Sequence, residues 1–155
     1  MKKILLICTG GTIASIPSKN GLVPNITSKE ILTYIPEAKS ICDIDTIQLS
    51  NLDSTNICYH NWLDIVNCIK EHYDLYDGFV ITHGTDTMAY TASCLSYLIQ
   101  NSNKPIVLTG SQKSIATNDS DARSNLLHSL IYVTNKDAKG VKIVFNGKVI
   151  LGTRA

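Results

Sequence analysis

The sequence has 155 residues, 44% of them hydrophobic and 17% charged, and a net charge of +1 at neutral pH. That is the length of one domain with enough apolar side chains to bury a core. Without a basic stripe, non-specific binding to nucleic acid or to an anionic membrane surface has no electrostatic basis, and no apolar stretch approaches the length that spans a bilayer.

Residues 3–8 are almost continuously apolar and predict a first parallel strand covered on both faces. The run meets Thr9-Gly10-Gly11-Thr12 too soon to be the core of a secretion signal. Residues 13–26 hold two prolines and an Asn20-Gly21 pair with no sustained period. They predict a long loop beside a glycine-rich strand end, in position to act as a lid. Thr27 and Glu30 have the spacing of a capping box that opens a short helix stopped by Pro36. Residues 44–50 alternate as a strand does and lead into a polar loop over residues 51–56. Over residues 60–73, Trp62, Ile65, Val66, Ile69 and Tyr73 fall on one helical face.

Residues 78–82 read as a second buried strand, and from Thr87 onward Met88, Ala92, Leu95 and Ile99 keep helical spacing. His83-Gly84-Thr85-Asp86 lies between the two. Residues 106–109 predict a further strand ending in Gly110-Ser111-Gln112. Asp119, Ser120 or Asp121 then caps a helix with Leu126, Leu127, Leu130 and Ile131 inward. Residues 141–145 and 148–151 are strands joined through Asn146-Gly147, a strong hairpin signal.

Strands alternating with helices predict an α/β fold: a Rossmann-like or flavodoxin-like, largely parallel sheet with helices on both faces and right-handed crossovers. Five scattered cysteines without a CxxC or metal spacing predict reduced core thiols in a cytosolic protein, with no metal. No GxGxxG and no P-loop lysine is present, so a nucleotide cofactor has no support.

The chemistry gathers at one sheet edge, where ligands bind in open α/β sheets. Four loops there supply Thr12, the trio Asp53, Ser54 and Thr55, the pair Thr85 and Asp86, and Ser111. Each alone could be an ordinary turn former or helix cap. Jointly, two threonines, a carboxylate and backbone N–H groups in glycine turns suit acyl transfer. A threonine hydroxyl is a poor nucleophile until a base takes its proton. His83 is the nearby group of suitable pKa, yet its place before the glycine turn predicts a structural imidazole.

TGGTIAS at 9–15 with DGFVITHGTDTMAYTA at 77–92 resembles the bacterial type I (cytoplasmic) L-asparaginases. The likeness runs on through LDSTN at 52–56, PIVLTGSQ at 105–112, SDARSNLL at 120–127 and GTRA at 152–155. It implies a cytoplasmic enzyme whose amino-terminal α/β domain is residues 1–155, the smaller carboxyl-terminal domain being absent from this chain. The family hydrolyses L-asparagine to L-aspartate and ammonia through a threonine nucleophile, without metal or cofactor. By the resemblance Thr12 attacks the side-chain amide, and Thr85 is the second threonine, bonded to a catalytic lysine. Asp86 holds the substrate's α-amino group, Ser54 with Asp53 and Thr55 holds its α-carboxylate end, and the Ser111 carbonyl receives the amide N–H.

Two departures qualify this. Leu22 stands where many members carry a lid tyrosine, and the catalytic lysine is expected just beyond Ala155. The family forms homodimers or homotetramers. Alternative readings are an amino-acid-binding fragment inactive for want of that lysine, and the amidase-like subunit of a tRNA-dependent amidotransferase. No tRNA-contacting segment is visible.

Overall fold

A computed structural model describes residues 1–18 and 21–155, with backbone only at residues 17, 18, 22 and 24. Its strands are β1 (Lys3–Gly10), β2 (Ser15–Ser18), β3 (Gly21–Pro24), β4 (Asp43–Leu52), β5 (Gly78–Thr82), β6 (Pro105–Thr109), β7 (Gly140–Phe145) and β8 (Lys148–Leu151). Its α-helices are α1 (Ser28–Thr33), α2 (Ala38–Ile41), α3 (Tyr59–His72), α4 (Met88–Leu98) and α5 (Ala122–Val133). Six strands form one sheet in the order β4-β1-β5-β6-β7-β8. All neighbours in it are parallel except β7 and β8, which pair antiparallel. The predicted α/β sheet is therefore what forms.

Period-two alternation sorts the strand side chains onto two faces. Ile4, Leu6, Val80 and Val107 join Ile31, Leu126 and Leu130 under α1 and α5. Leu5, Ile7, Phe79 and Ile81 join Ile65, Ile69, Ala92 and Leu95 under α3 and α4. Every residue of β5 and β6 is buried, because both are central strands covered on each face. The capping box opens α1 as expected, with Thr27 and Glu30 each satisfying the other's backbone N–H. The hairpin at Asn146-Gly147 also forms, with positive φ at both residues. Among the described residues no helix is long and apolar enough to cross a membrane.

Four expectations change. Residues 13–26 are not an irregular loop: β2 and β3 pair antiparallel, from Ser15 with Pro24 to Ser18 with Gly21. The prolines fit because an isolated two-stranded ribbon consists of edges only. The proposed lid position Leu22 is a side chain outside the described ones. The four-residue α2 gave no periodic signal in the sequence, and Ile131, expected inward on α5, is 55% exposed. All five thiols are free, but Cys58 is exposed rather than in the core. Burial pushes the Cys8 and Cys42 thiols up to about 11, which keeps them protonated and inert.

Candidate active site

The turn His83–Asp86 leaves the carboxyl end of β5 and is held from below by a buried relay. His83 is fully buried, with Nδ1 2.7 Å from the Gly84 carbonyl and Nε2 2.9 Å from Thr91 Oγ1. A carbonyl can only accept, so Nδ1 carries the proton and Nε2 accepts from the Thr91 hydroxyl. Thr91 in turn accepts from Trp62 Nε1 at 2.9 Å. The relay thus ties α3, α4 and the turn together around a neutral imidazole. Burial holds the His83 pKa below its ordinary 6.5, against a smaller opposing pull from the Gly84 carbonyl. His83 is a structural group, as its place in the sequence suggested.

The other loops close on this turn by backbone contact. The Gly11 N–H donates to the Leu52 carbonyl at 2.9 Å, joining the end of β1 to that of β4. Gly11 has φ +81°, and a Cβ there would stand 2.5 Å from the Gly84 nitrogen. A side chain at Gly110 would meet the His83 carbonyl oxygen at 2.3 Å. On the remaining side Thr87 Oγ1 donates to the Ser54 carbonyl at 2.8 Å.

Gly11, Thr12, Ser15, Asp53, Ser54, Gly84, Thr85 and Asp86 line one cavity of about 50 Å³. The structure therefore brings together five of the seven side chains singled out from the sequence. Thr12 opens a short 3-10 turn, Thr12–Ala14, and is half-buried. Ser54 is buried, whereas Asp53 and Asp86 are exposed at the rim. Thr55 is not on the lining: its backbone N–H and hydroxyl both bond Asp53 Oδ1 at 2.9 Å, an Asx turn. Ser111 is fully buried outside the lining, with its hydroxyl donating to the Lys113 carbonyl at 2.5 Å. Ser15 belongs to the lining and was not singled out. Its hydroxyl donates to the Gly11 carbonyl at 2.9 Å, a contact that no sequence period announces.

Among the larger cavities of the described residues are two of contrasting lining. One of about 390 Å³ runs between the end of α4 and the start of β7, and one of about 430 Å³ between α1, α2 and β4. The first gathers lysines and exposed loop residues, the second mostly aliphatic carbon. Neither brings nucleophile, carboxylate and backbone donors together, so volume does not locate the chemistry here.

Both Gly–Thr peptides of the small cavity have their carbonyls engaged. The Gly11 carbonyl accepts from the Ala14 N–H at 3.1 Å as well as from Ser15. The Gly84 carbonyl accepts from His83. A trans peptide points its N–H opposite to its C=O. The Thr12 and Thr85 N–H groups consequently face away from these anchors.

A family profile described as "Asparaginase, N-terminal" matches residues 3–155. The L-asparaginase of Thermococcus kodakarensis is 42% identical over 98% of this chain and 46% of its own. Its solved structure superposes with a TM-score of 0.86 over 97% of this chain and 46% of that one. A probable cytoplasmic L-asparaginase from Campylobacter jejuni gives a TM-score of 0.87 at 33% identity, over 98% of this chain and 46% of that one. One component of the glutamyl-tRNA(Gln) amidotransferase of Methanococcus vannielii is 37% identical over 96% of this chain and 35% of its own. The chain thus spans slightly under half the length of these two asparaginases. With a profile covering nearly every residue, the chain belongs to the asparaginase family.

Proposed function

We propose that this chain is the amino-terminal, nucleophile-bearing part of a cytoplasmic L-asparaginase that works as a homo-oligomer. The observation that carries the reading is the cavity in which Thr12, Thr85, Asp86, Asp53 and Ser54 meet. Thr12 Oγ attacks the side-chain carbonyl of L-asparagine. The C–N bond breaks, ammonia leaves with the proton that Thr12 gave up, and water then cleaves the acyl-threonine to L-aspartate. The outward-facing Thr12 and Thr85 N–H groups serve the developing oxyanion. Asp86 takes the α-ammonium, and Ser54 with Asp53 and Thr55 holds the α-carboxylate end. At about 50 Å³ the cavity is a floor rather than a whole site; ligand sites usually enclose about 300 Å³ or more. The remaining wall and the lysine that activates Thr12 belong to a carboxyl-terminal part and a partner subunit.

The expected outcome is that these 155 residues bind L-aspartate by calorimetry but release ammonia from L-asparagine at a small fraction of the Thermococcus enzyme's rate. Thr12→Ala removes that residual release by about a thousandfold while aspartate still binds. Unchanged ammonia release by Thr12→Ala overturns the nucleophile assignment. Full turnover by the chain alone overturns the need for an outside lysine.

The match to an amidotransferase component favours a second reading, in which the same amide chemistry serves a tRNA-dependent transfer. A net charge of +1 with no basic stripe argues against it. A gel-shift titration with glutamyl-tRNA separates the two.

A further inference from the structure

Ser54 is held between the two ends of the turn that carries Asp86. It opens a short 3-10 turn, Ser54–Asn56, is 3% exposed and lines the small cavity. Its hydroxyl has no hydrogen-bond partner among the described residues and is left to the cavity. On one side Gly84 packs so closely that a Cβ there would stand 2.5 Å from Ser54 Oγ and 2.6 Å from Ser54 Cβ. On the other side Thr87 Oγ1 donates to the Ser54 carbonyl at 2.8 Å. That carbonyl already accepts from the Ile57 N–H at 3.1 Å. The Ile57 bond closes the turn of Ser54 itself, whereas the Thr87 bond ties that turn to another loop.

Thr87 gives up the usual use of its hydroxyl for this. It occupies the N-cap position of α4, where a threonine oxygen ordinarily accepts from a backbone N–H two or three residues on. No such bond is made. The hydroxyl crosses to the neighbouring loop instead. Asp86 lies in the chain between Gly84 and Thr87, the two residues that hold Ser54. Two lining residues from different loops, Ser54 and Asp86, are thereby kept at one spacing.

We infer that Thr87 is a positioning residue that sets the spacing of Asp86 and Ser54, and through it the preference for the L enantiomer of the amino acid. The inference rests on the reading above, in which Asp86 takes the α-ammonium, Ser54 the α-carboxylate end and Thr12 the side chain. The two enantiomers carry the same groups and the same charge, so no single contact favours either. Handedness is read only by three contacts held at fixed relative positions. With Ser54 locked to the turn of Asp86, the L enantiomer meets all three and the D enantiomer meets two. Once Ser54 can shift, the D enantiomer gains a third contact and the L enantiomer loses its fit.

The test is calorimetry of the chain with L-aspartate and with D-aspartate, neither of which has an amide to lose. The unsubstituted chain is expected to prefer the L enantiomer. Thr87→Val keeps the shape and removes the donor, and should lower the L-to-D affinity ratio about fivefold, the scale of one lost hydrogen bond. Thr87→Ala, which also lacks the hydroxyl, should lower it at least as far. Thr87→Ser keeps the donor and should keep the ratio. A general loosening of the fold weakens both enantiomers alike and leaves the ratio where it was. Equal weakening of both by Thr87→Val and Thr87→Ala, or of neither, therefore overturns the positioning role and leaves the asparaginase reading standing. Equal affinity of the unsubstituted chain for the two enantiomers overturns it too. Failure of the unsubstituted chain to bind either one brings down that reading and the inference with it.

Discussion

Gly11 and Gly21 both hold positive φ, +81° and +101°, yet their surroundings are opposites. At Gly11 a side chain would meet the Gly84 nitrogen at 2.5 Å and the His83 carbonyl carbon at 2.9 Å. At Gly21, on the β2–β3 hairpin, it would meet no described atom within 4 Å. The inner turn is where the ends of β1, β4, β5 and β6 touch backbone to backbone; the hairpin is held at its base, where Asn25 and Ile26 both donate to the Ala14 carbonyl at 2.8 Å. The difference separates two uses of the same residue. At the inner turn glycine permits close approach and so builds the cavity, whereas at the hairpin it only permits a turn.

The largest expected effect breaks the inner turn. Gly11→Ala combines an unfavourable φ with a clash against backbone that cannot rotate away. Overpacking and strain of this kind cost about 3 kcal/mol or more. That is a large share of the about 5–15 kcal/mol that holds a domain together. Thermal melting followed by circular dichroism should fall by about 10 °C, or the variant should fail to accumulate in folded form. Melting within a degree of the unsubstituted chain would show that the inner turn yields, and the contrast with the hairpin would collapse.

The sheet was legible because its central strands are continuous apolar runs set between turn residues, and the grouping of the candidate site because Gly-Thr pairs follow two of those runs. The hairpin at residues 15–24 was not, because two prolines and a short length obscure the alternation that marks a strand. Thr91, Trp62, Asp121 and Asn125 were not legible either. Thr91 and Asn125 look like ordinary polar positions on helices, and only the packing of α3, α4 and α5 against the sheet gives them partners. Asp121 matched a helix cap in the sequence, yet its carboxylate turns back to the preceding loop. Side chains that act through tertiary hydrogen bonds leave no period behind.

A middle-sized effect tests what supports the inner turn from below. In the folded chain the His83 pKa lies below its ordinary 6.5. As pH falls through 6.5 the unfolded chain takes up a proton that the folded chain refuses. Stability is therefore constant above that pH and declines below it, until the folded imidazole also charges. His83→Gln should cost about 2 kcal/mol at pH 7.5, because Thr91 and Gly84 lose fitted partners. It should also flatten the stability profile between pH 6.5 and the onset of carboxylate titration. Urea unfolding of both proteins across this range is the measurement. A slope that persists undiminished in His83→Gln would mean that another group controls it.

The smallest effect belongs to Gly21→Ala. With no described atom within 4 Å of the new methyl group, the cost is conformational: an alanine held at φ +101° loses about 1–2 kcal/mol. Part of that is returned, because alanine has fewer unfolded conformations than glycine, worth about 0.4–1 kcal/mol. The net loss is at most about 1.6 kcal/mol, so melting should drop by no more than about 6 °C. Binding of L-aspartate should be untouched, since Gly21 is not among the residues that line the small cavity. If Gly21→Ala instead matched the loss caused by Gly11→Ala, positive φ alone would account for both. The close approach of Gly11 to Gly84 would then contribute nothing measurable, and the loops that form the cavity would be held by their hydrogen bonds alone.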